Sequence, residues 1–130
     1  MSAPYRVLVL EDVQDRVDAL REWLPDSEIV HVETVADFIK TTGPEGRPFD
    51  LFILDHDLGD TELPGRVAVD HMTWKWGHPK APVVVWSQNA PAARWMVHDL
   101  ERAGFDVYRR PFGMDQGPGY QRLREGWTKS

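Results

Sequence analysis

The sequence predicts an α/β fold, a five-stranded parallel sheet with helices on both sides. Two observations carry the expectation. Five short β-branched or aliphatic runs alternate with helical patterns along only 130 residues, and right-handed crossovers of such short length return each strand parallel to the last. The strand segments also read as near-continuous apolar runs, as strands covered on both faces do.

The first strand is Tyr5 to Leu10, "YRVLVL", ending at the acidic pair Glu11-Asp12. Val13, Val17, Leu20 and Leu24 then fall on one stripe of a helix that Pro25 closes, and Asp12 with Asp15 has the spacing of an N-terminal cap. Glu28 to Val32 forms the second strand. Thr34 with Asp37 makes a capping-box pattern before a short helix through Phe38 and Ile39, stopping near Gly43-Pro44. Asp50 to Leu54 is the third strand. Pro64 to Trp76 reads as a helix, and Pro82 to Trp86, "PVVVW", as the fourth strand. The helix from Pro91 to Ala103 places Ala93, Met96, Val97, Leu100 and Ala103 on one side and stops at Gly104. Phe105 to Arg109 is strand five, followed by Pro111, a glycine-rich turn and a last helix with Tyr120, Leu123 and Trp127 on one face.

No repeat, linker or low-complexity tract divides the chain, so residues 1–130 are expected to form a single domain. Composition agrees, with 42% hydrophobic and 28% charged residues. Lys plus Arg 15 against Asp plus Glu 21 gives a net charge of -6, which offers little support for nonspecific DNA binding. The chain has no cysteine, hence no disulfide, thiolate nucleophile or zinc-thiolate site. Met1 to Pro4 lacks the pattern of a signal peptide, and no stretch approaches the ~18 apolar residues that span a bilayer, so a soluble, cytoplasmic protein without membrane partners is expected.

In the flavodoxin-like strand order 2-1-3-4-5, ligands lie beyond the carboxyl ends of the strands, between strands one and three. Glu11-Asp12 ends the one and Asp55-His56-Asp57 the other, so four carboxylates distant in sequence are expected at one crevice. Two carboxylates about 4 Å apart repel by roughly 4 kcal/mol at an effective dielectric near 20. A proton, an arginine or a hard divalent cation must neutralise them. Mg2+ or Mn2+ suits the donor set, with Asp12 and Asp55 as direct ligands, Glu11 through water, and the Asp57 carbonyl or carboxylate completing it.

Against this stands the plain structural reading: Asp12 as a helix cap, Asp60 and Glu62 as solvated loop charges. An acid directly after "FIL" has no helix start to serve, which leaves Asp55 the stronger candidate. His56 could be a metal ligand, a proton carrier near neutral pH, or a polar residue bonded to backbone. His31, His71, His78 and His98 lack metal-ligand spacing and are expected at the surface or satisfied. Ser87 and Asn89 follow strand four, where they could hold phosphoryl oxygens or start the next helix, and Arg110 could offer phosphate a planar fork. Trp74, Trp76, Trp86 and Trp95 could stack on a base or fill core.

Together these residues resemble a receiver domain of two-component signalling: Glu11-Asp12 after strand one, Asp55 at the phosphoacceptor place, Ser87 after strand four, and Arg110-Pro111-Phe112 where that family has Lys-Pro-Phe. The resemblance implies a CheY-like three-layer sandwich from Tyr5 to Phe112. A closer resemblance is to the receiver-like group named for predicted cyclic-phosphate processing, through "LED" at Leu10 to Asp12 and "LDHDLG" at Leu54 to Gly59. That group has His-Ser-x-Asn after strand four where this chain reads Trp86-Ser87-Gln88-Asn89, and then a helix with a Trp-Met or Asn-Met pair, here Trp95-Met96.

The resemblance implies a metal-dependent phosphoesterase acting on a cyclic or terminal phosphate of a nucleotide or RNA end. In it Asp55, His56 and Asp57 would be catalytic, Ser87, Asn89 and Arg110 would bind phosphate, and Glu11, Asp12, Asp55 and Asp57 would bind Mg2+ or Mn2+. Two alternatives stand beside it. One is a single-domain response regulator phosphorylated on Asp55, with a protein partner on the strand four and five face; the other is a non-catalytic module that binds metal or nucleotide.

Overall fold

A computed structural model of the chain describes residues 5–25, 27–43, 49–58, 64–75, 81–86 and 90–109. They form β1 (Tyr5–Leu10), α1 (Gln14–Trp23), β2 (Ser27–Val32), α2 (Val35–Thr42), β3 (Leu51–Leu54), α3 (Gly65–Lys75), β4 (Val83–Val85), α4 (Ala90–Arg102) and β5 (Val107–Arg109). The sheet is parallel throughout, in the order β2-β1-β3-β4-β5. The expected strands and the first four helices are all present, with ends moved by one or two residues. The expected last helix, with Tyr120, Leu123 and Trp127, lies outside the described residues.

Period-two alternation divides the strand residues between two cores. Leu8, Leu10, Phe52, Leu54, Val83 and Val85 face one way and pack with Val35 and Phe38 of α2, Ala68, Val69 and Met72 of α3, and Ala93, Met96 and Leu100 of α4. Val7, Val9, Leu51, Ile53 and Val84 face the other, against Val17 and Leu20 of α1. Trp86 joins this second core at 4% exposure, so of the four candidate stacking tryptophans it is a core residue. Trp74 and Trp95 are exposed, and Trp76 lies outside the described residues.

The register sets up the site. Leu10 pairs with Leu54 and Leu54 with Val85, so these three strands end level. The ladder continues one residue further: the Asp55 N–H donates to the Leu10 carbonyl at 3.0 Å, and the Trp86 N–H to the Leu54 carbonyl at 2.8 Å. Glu11 and Asp55, each one step past a leucine of the first core, must therefore fall on the α1 side.

Of the two expected helix caps, one holds. The Thr34 hydroxyl accepts the Asp37 N–H at 3.1 Å and starts α2. At α1 the expectation fails: the helix begins at Gln14, its N-cap is Val13, and no side chain caps it. The Glu11 carboxylate takes the neighbouring donors instead, accepting the N–H of Asp12 at 3.0 Å and of Val13 at 3.2 Å from the same oxygen. That leaves the Asp12 side chain without a capping task. At the other helix end expected from sequence, Gly104 has φ +93°, a conformation that favours glycine.

Removing the one formed cap tests this assignment. Thr34→Ala is expected to lower the stability of the protein by about 1 kcal/mol, read from the midpoint of urea unfolding. Asp12→Ala in metal-free buffer is expected to show no such loss of a cap.

Candidate metal and phosphate site

One carboxylate oxygen from each of Glu11, Asp12 and Asp55 lies within 4.8 Å of the others, the one such acidic group among the described residues. Their environments differ. Glu11 is 1% exposed and Asp55 2%, whereas Asp12 is half-buried at the mouth. Two backbone donors hold Glu11 Oε2, as described above. Asp55 Oδ1 accepts the Asp57 N–H at 3.4 Å.

Glu11, expected to reach an ion through water, is 1% exposed, the most enclosed acid of the three. His31 secures the chain beside it: its Nε2 lies 2.6 Å from the Glu11 carbonyl oxygen. On the other strand, the Gly65 N–H donates to the His56 carbonyl at 2.8 Å, which pins the loop after β3 to the start of α3. A side-chain carbon at residue 65 would overlap the Asp55 carbonyl oxygen, so only glycine lets α3 approach the acid this closely.

Arg16 was not among the residues singled out from sequence. Its Nη1 donates to Glu11 Oε1 and to Asp55 Oδ2, both at 3.5 Å, from a side chain that is 20% exposed. A signal for it exists in the pattern. Alternation puts both acids on the face that α1 covers, and Arg16 adjoins Val17, the first buried residue of the α1 stripe.

Burial and repulsion together set the protonation of the pair. Burial chiefly, and then the charge of Asp55, push the Glu11 carboxyl up to about 8, against the lowering effect of the Val13 N–H and Arg16. Burial likewise raises Asp55, while the hydrogen bond from Glu11 and the charge of Arg16 pull it back. Below pH 8 Glu11 of the metal-free pair therefore keeps its proton.

His56 and Asp57 stand apart from the trio. The His56 ring is half-buried and its Nδ1 lies 2.8 Å from Asp57 Oδ1. The Asp57 carboxylate is 60% exposed and directed to that ring. Ser87, Asn89 and Arg110 lie outside the described residues, as do Asp60 and Glu62.

The donor set fits a hard divalent cation. All three acids offer oxygen, none of the group is a histidine, and a buried pair that must keep a proton when alone is a pair that a doubly charged ion can relieve. Magnesium, with its small shell of one or two carboxylates plus waters, suits the arrangement.

The model of the cyclic-phosphate processing receiver domain family matches residues 6–102. The fold is similar to several solved receiver domains. That of a sensor histidine kinase from Pseudomonas aeruginosa PAO1, with a magnesium ion coordinated in its active site cleft, superposes with a TM-score of 0.73 at 17% identity, covering 98% of this chain and 100% of that one. A CheY-like receiver domain protein from Methanospirillum hungatei JF-1 gives 0.71 at 16% identity, over 97% and 95% of the two chains. The receiver domain of NtrX from Brucella abortus gives 0.70 at 20% identity, over 95% and 99%. No curated protein matches the sequence.

The buried acid has a consequence for stability. An unfolded glutamate releases its proton near 4.5, whereas folded Glu11 keeps it to about 8. Between those values the folded state binds more protons, so stability of the metal-free protein falls as pH rises across that window. Glu11→Gln keeps the acceptor and has no charge to develop. In chelator at pH 8 it is expected to be more stable than the wild type by about 4 kcal/mol, with the difference shrinking towards pH 5. Urea midpoints at the two pH values decide it, and an advantage that grows towards low pH would contradict the assignment.

Proposed function

The chain belongs to the cyclic-phosphate processing receiver domain family, and from that premise we propose that it is a metal-dependent phosphoesterase acting on a cyclic or terminal phosphate of a nucleotide or RNA end. The observation that carries the proposal is the meeting of Glu11, Asp12 and Asp55 within 4.8 Å, two of them buried. Solvation does not stabilise such a cluster, and a surface charge patch does not need one.

Glu11, Asp12 and Asp55 would hold Mg2+ or Mn2+, and the Asp57 carbonyl would be the fourth protein donor. The ion supplies Lewis acidity towards a phosphoryl oxygen. The remaining work falls to the chain's own groups. Asp57, bonded to His56 Nδ1, favours the tautomer with its proton on that nitrogen. Nε2 is then the atom that takes a proton from water or returns one to a leaving alkoxide. The Asp57 carboxylate is 60% exposed, which leaves this pair within reach of a phosphate ester from solvent. Ser87, Asn89 and Arg110 are assigned the orientation of phosphate oxygens, as the order of the motifs suggests.

A second reading has support in the position of Asp55. It is the residue directly after β3, the phosphoacceptor position of receiver domains, and the fold is that of receivers of the response-regulator type. In that reading an aspartyl phosphate forms on Asp55, and a protein partner docks on the β4 and β5 side.

Turnover of 2',3'-cyclic nucleotides with Mg2+ or Mn2+, wild type beside Asp55→Asn, separates the readings. The phosphoesterase is expected to need the divalent ion and to lose at least about 100-fold in rate in the variant, the scale expected when an electrostatic anchor of the transition state is removed. Equal rates in the two proteins would end the proposal. Incubation with acetyl phosphate that adds a phosphoryl mass to Asp55, with no cyclic-nucleotide turnover, would favour the response regulator. Thermal stabilisation by nucleotide without product would point to a binding module.

A further inference from the structure

We infer that Arg16 is a built-in counter-ion of the acidic site which an incoming divalent cation must displace, so that this side chain sets the affinity of the site for metal. The inference rests on the proposed divalent site.

The atoms involved support it. Each buried carboxylate has one oxygen committed to the backbone: Glu11 Oε2 to the N–H groups of Asp12 and Val13, and Asp55 Oδ1 to that of Asp57. Arg16 Nη1 lies against the other two, Glu11 Oε1 and Asp55 Oδ2, 3.5 Å from each. These are the oxygens that the backbone bonds leave to an ion bound by both acids. Magnesium binds carboxylate at roughly 2.0–2.1 Å and keeps an ordered water shell, leaving no room for a guanidinium in the same hollow.

Like charge adds to the conflict of space. A guanidinium does not give up its proton, so unlike a lysine it cannot yield its place by becoming neutral. It must move outward. Its side chain is 20% exposed, which leaves a route to solvent. The contact distances are long for charge-assisted hydrogen bonds, so the bridge is weak enough to be exchanged.

The test is calorimetric titration of Mg2+ into wild type, Arg16→Met and Arg16→Lys in one buffer at one pH. Arg16→Met removes the charge and keeps an unbranched stem, and its Mg2+ dissociation constant is expected to fall about tenfold, equivalent to about 1.4 kcal/mol, with Arg16→Lys between it and the wild type. In the wild type the Arg16 Nε–H resonance should shift in step with Mg2+ occupancy, a readout that holds even if the methionine variant folds poorly. Binding by the variant alone would also support the inference.

Equal or weaker Mg2+ affinity in Arg16→Met, with a resonance that Mg2+ leaves in place, would overturn it while the divalent site stands. Absence of Mg2+ uptake by every form would overturn both the inference and the divalent reading.

Discussion

The structure turns on two like charges that the sheet register forces together. Because β1 and β3 are parallel neighbours ending at Leu10 and Leu54, the next residue of each strand must emerge at the same level and on the same face. Both are acids, and both are almost wholly buried. Other features of this end of the molecule answer that placement: two backbone donors to Glu11, one to Asp55, the bridging Arg16, and a proton retained up to about pH 8. None of these is needed for a stable sheet. The apolar cores on the two faces are complete without them, and a leucine pair at the same positions would suit the fold better.

A destabilising feature held at this expense of free energy has meaning through what it binds. Burial raises the energy of the ionised pair, and any ligand that restores the lost hydration with positive charge recovers that energy as affinity. The same argument explains why Asp12 is half-buried while its two companions are enclosed. It is half-buried and keeps part of its side chain open to solvent. The site thus combines a deep pair that demands a cation with a shallow acid able to complete its shell, and places His56 with Asp57 beyond it, towards solvent.

Much of this was legible in the sequence because it depends on order and period. Five apolar runs between helical stripes specify a parallel sheet, and the switch in strand order brings the ends of strands one and three together whatever their loops do. Glu11, Asp12 and Asp55 follow from that rule. What escaped was governed by tertiary choice among equivalent local options. Asp12 with Asp15 has as good a capping pattern as Thr34 with Asp37, yet Val13 occupies the N-cap of α1, while Glu11, anchored from β1, accepts the Asp12 and Val13 N–H groups. Arg16 was hidden for a related reason. A charged residue on a helix ordinarily faces water, and only knowledge of what α1 covers turns it inward.

Gly65 shows how far the constraint reaches. Nothing around it in sequence marks it as more than the first residue of a helix, yet its N–H holds the His56 carbonyl and its missing side chain is what lets α3 close on the Asp55 carbonyl. The loop carrying the catalytic candidates is therefore fixed at its base by contacts to β1 and α3. Asp55 bonds to Leu10, and His56 bonds to Gly65. A rigid base under a half-buried His56 and an exposed Asp57 is the arrangement that proton transfer by them would require, since a donor or acceptor must stay within hydrogen-bond reach of the reacting group. In the proposed phosphoesterase the acids would hold the ion that a phosphate meets, and the anchoring of the residues after β3 would keep the proton carriers beside it.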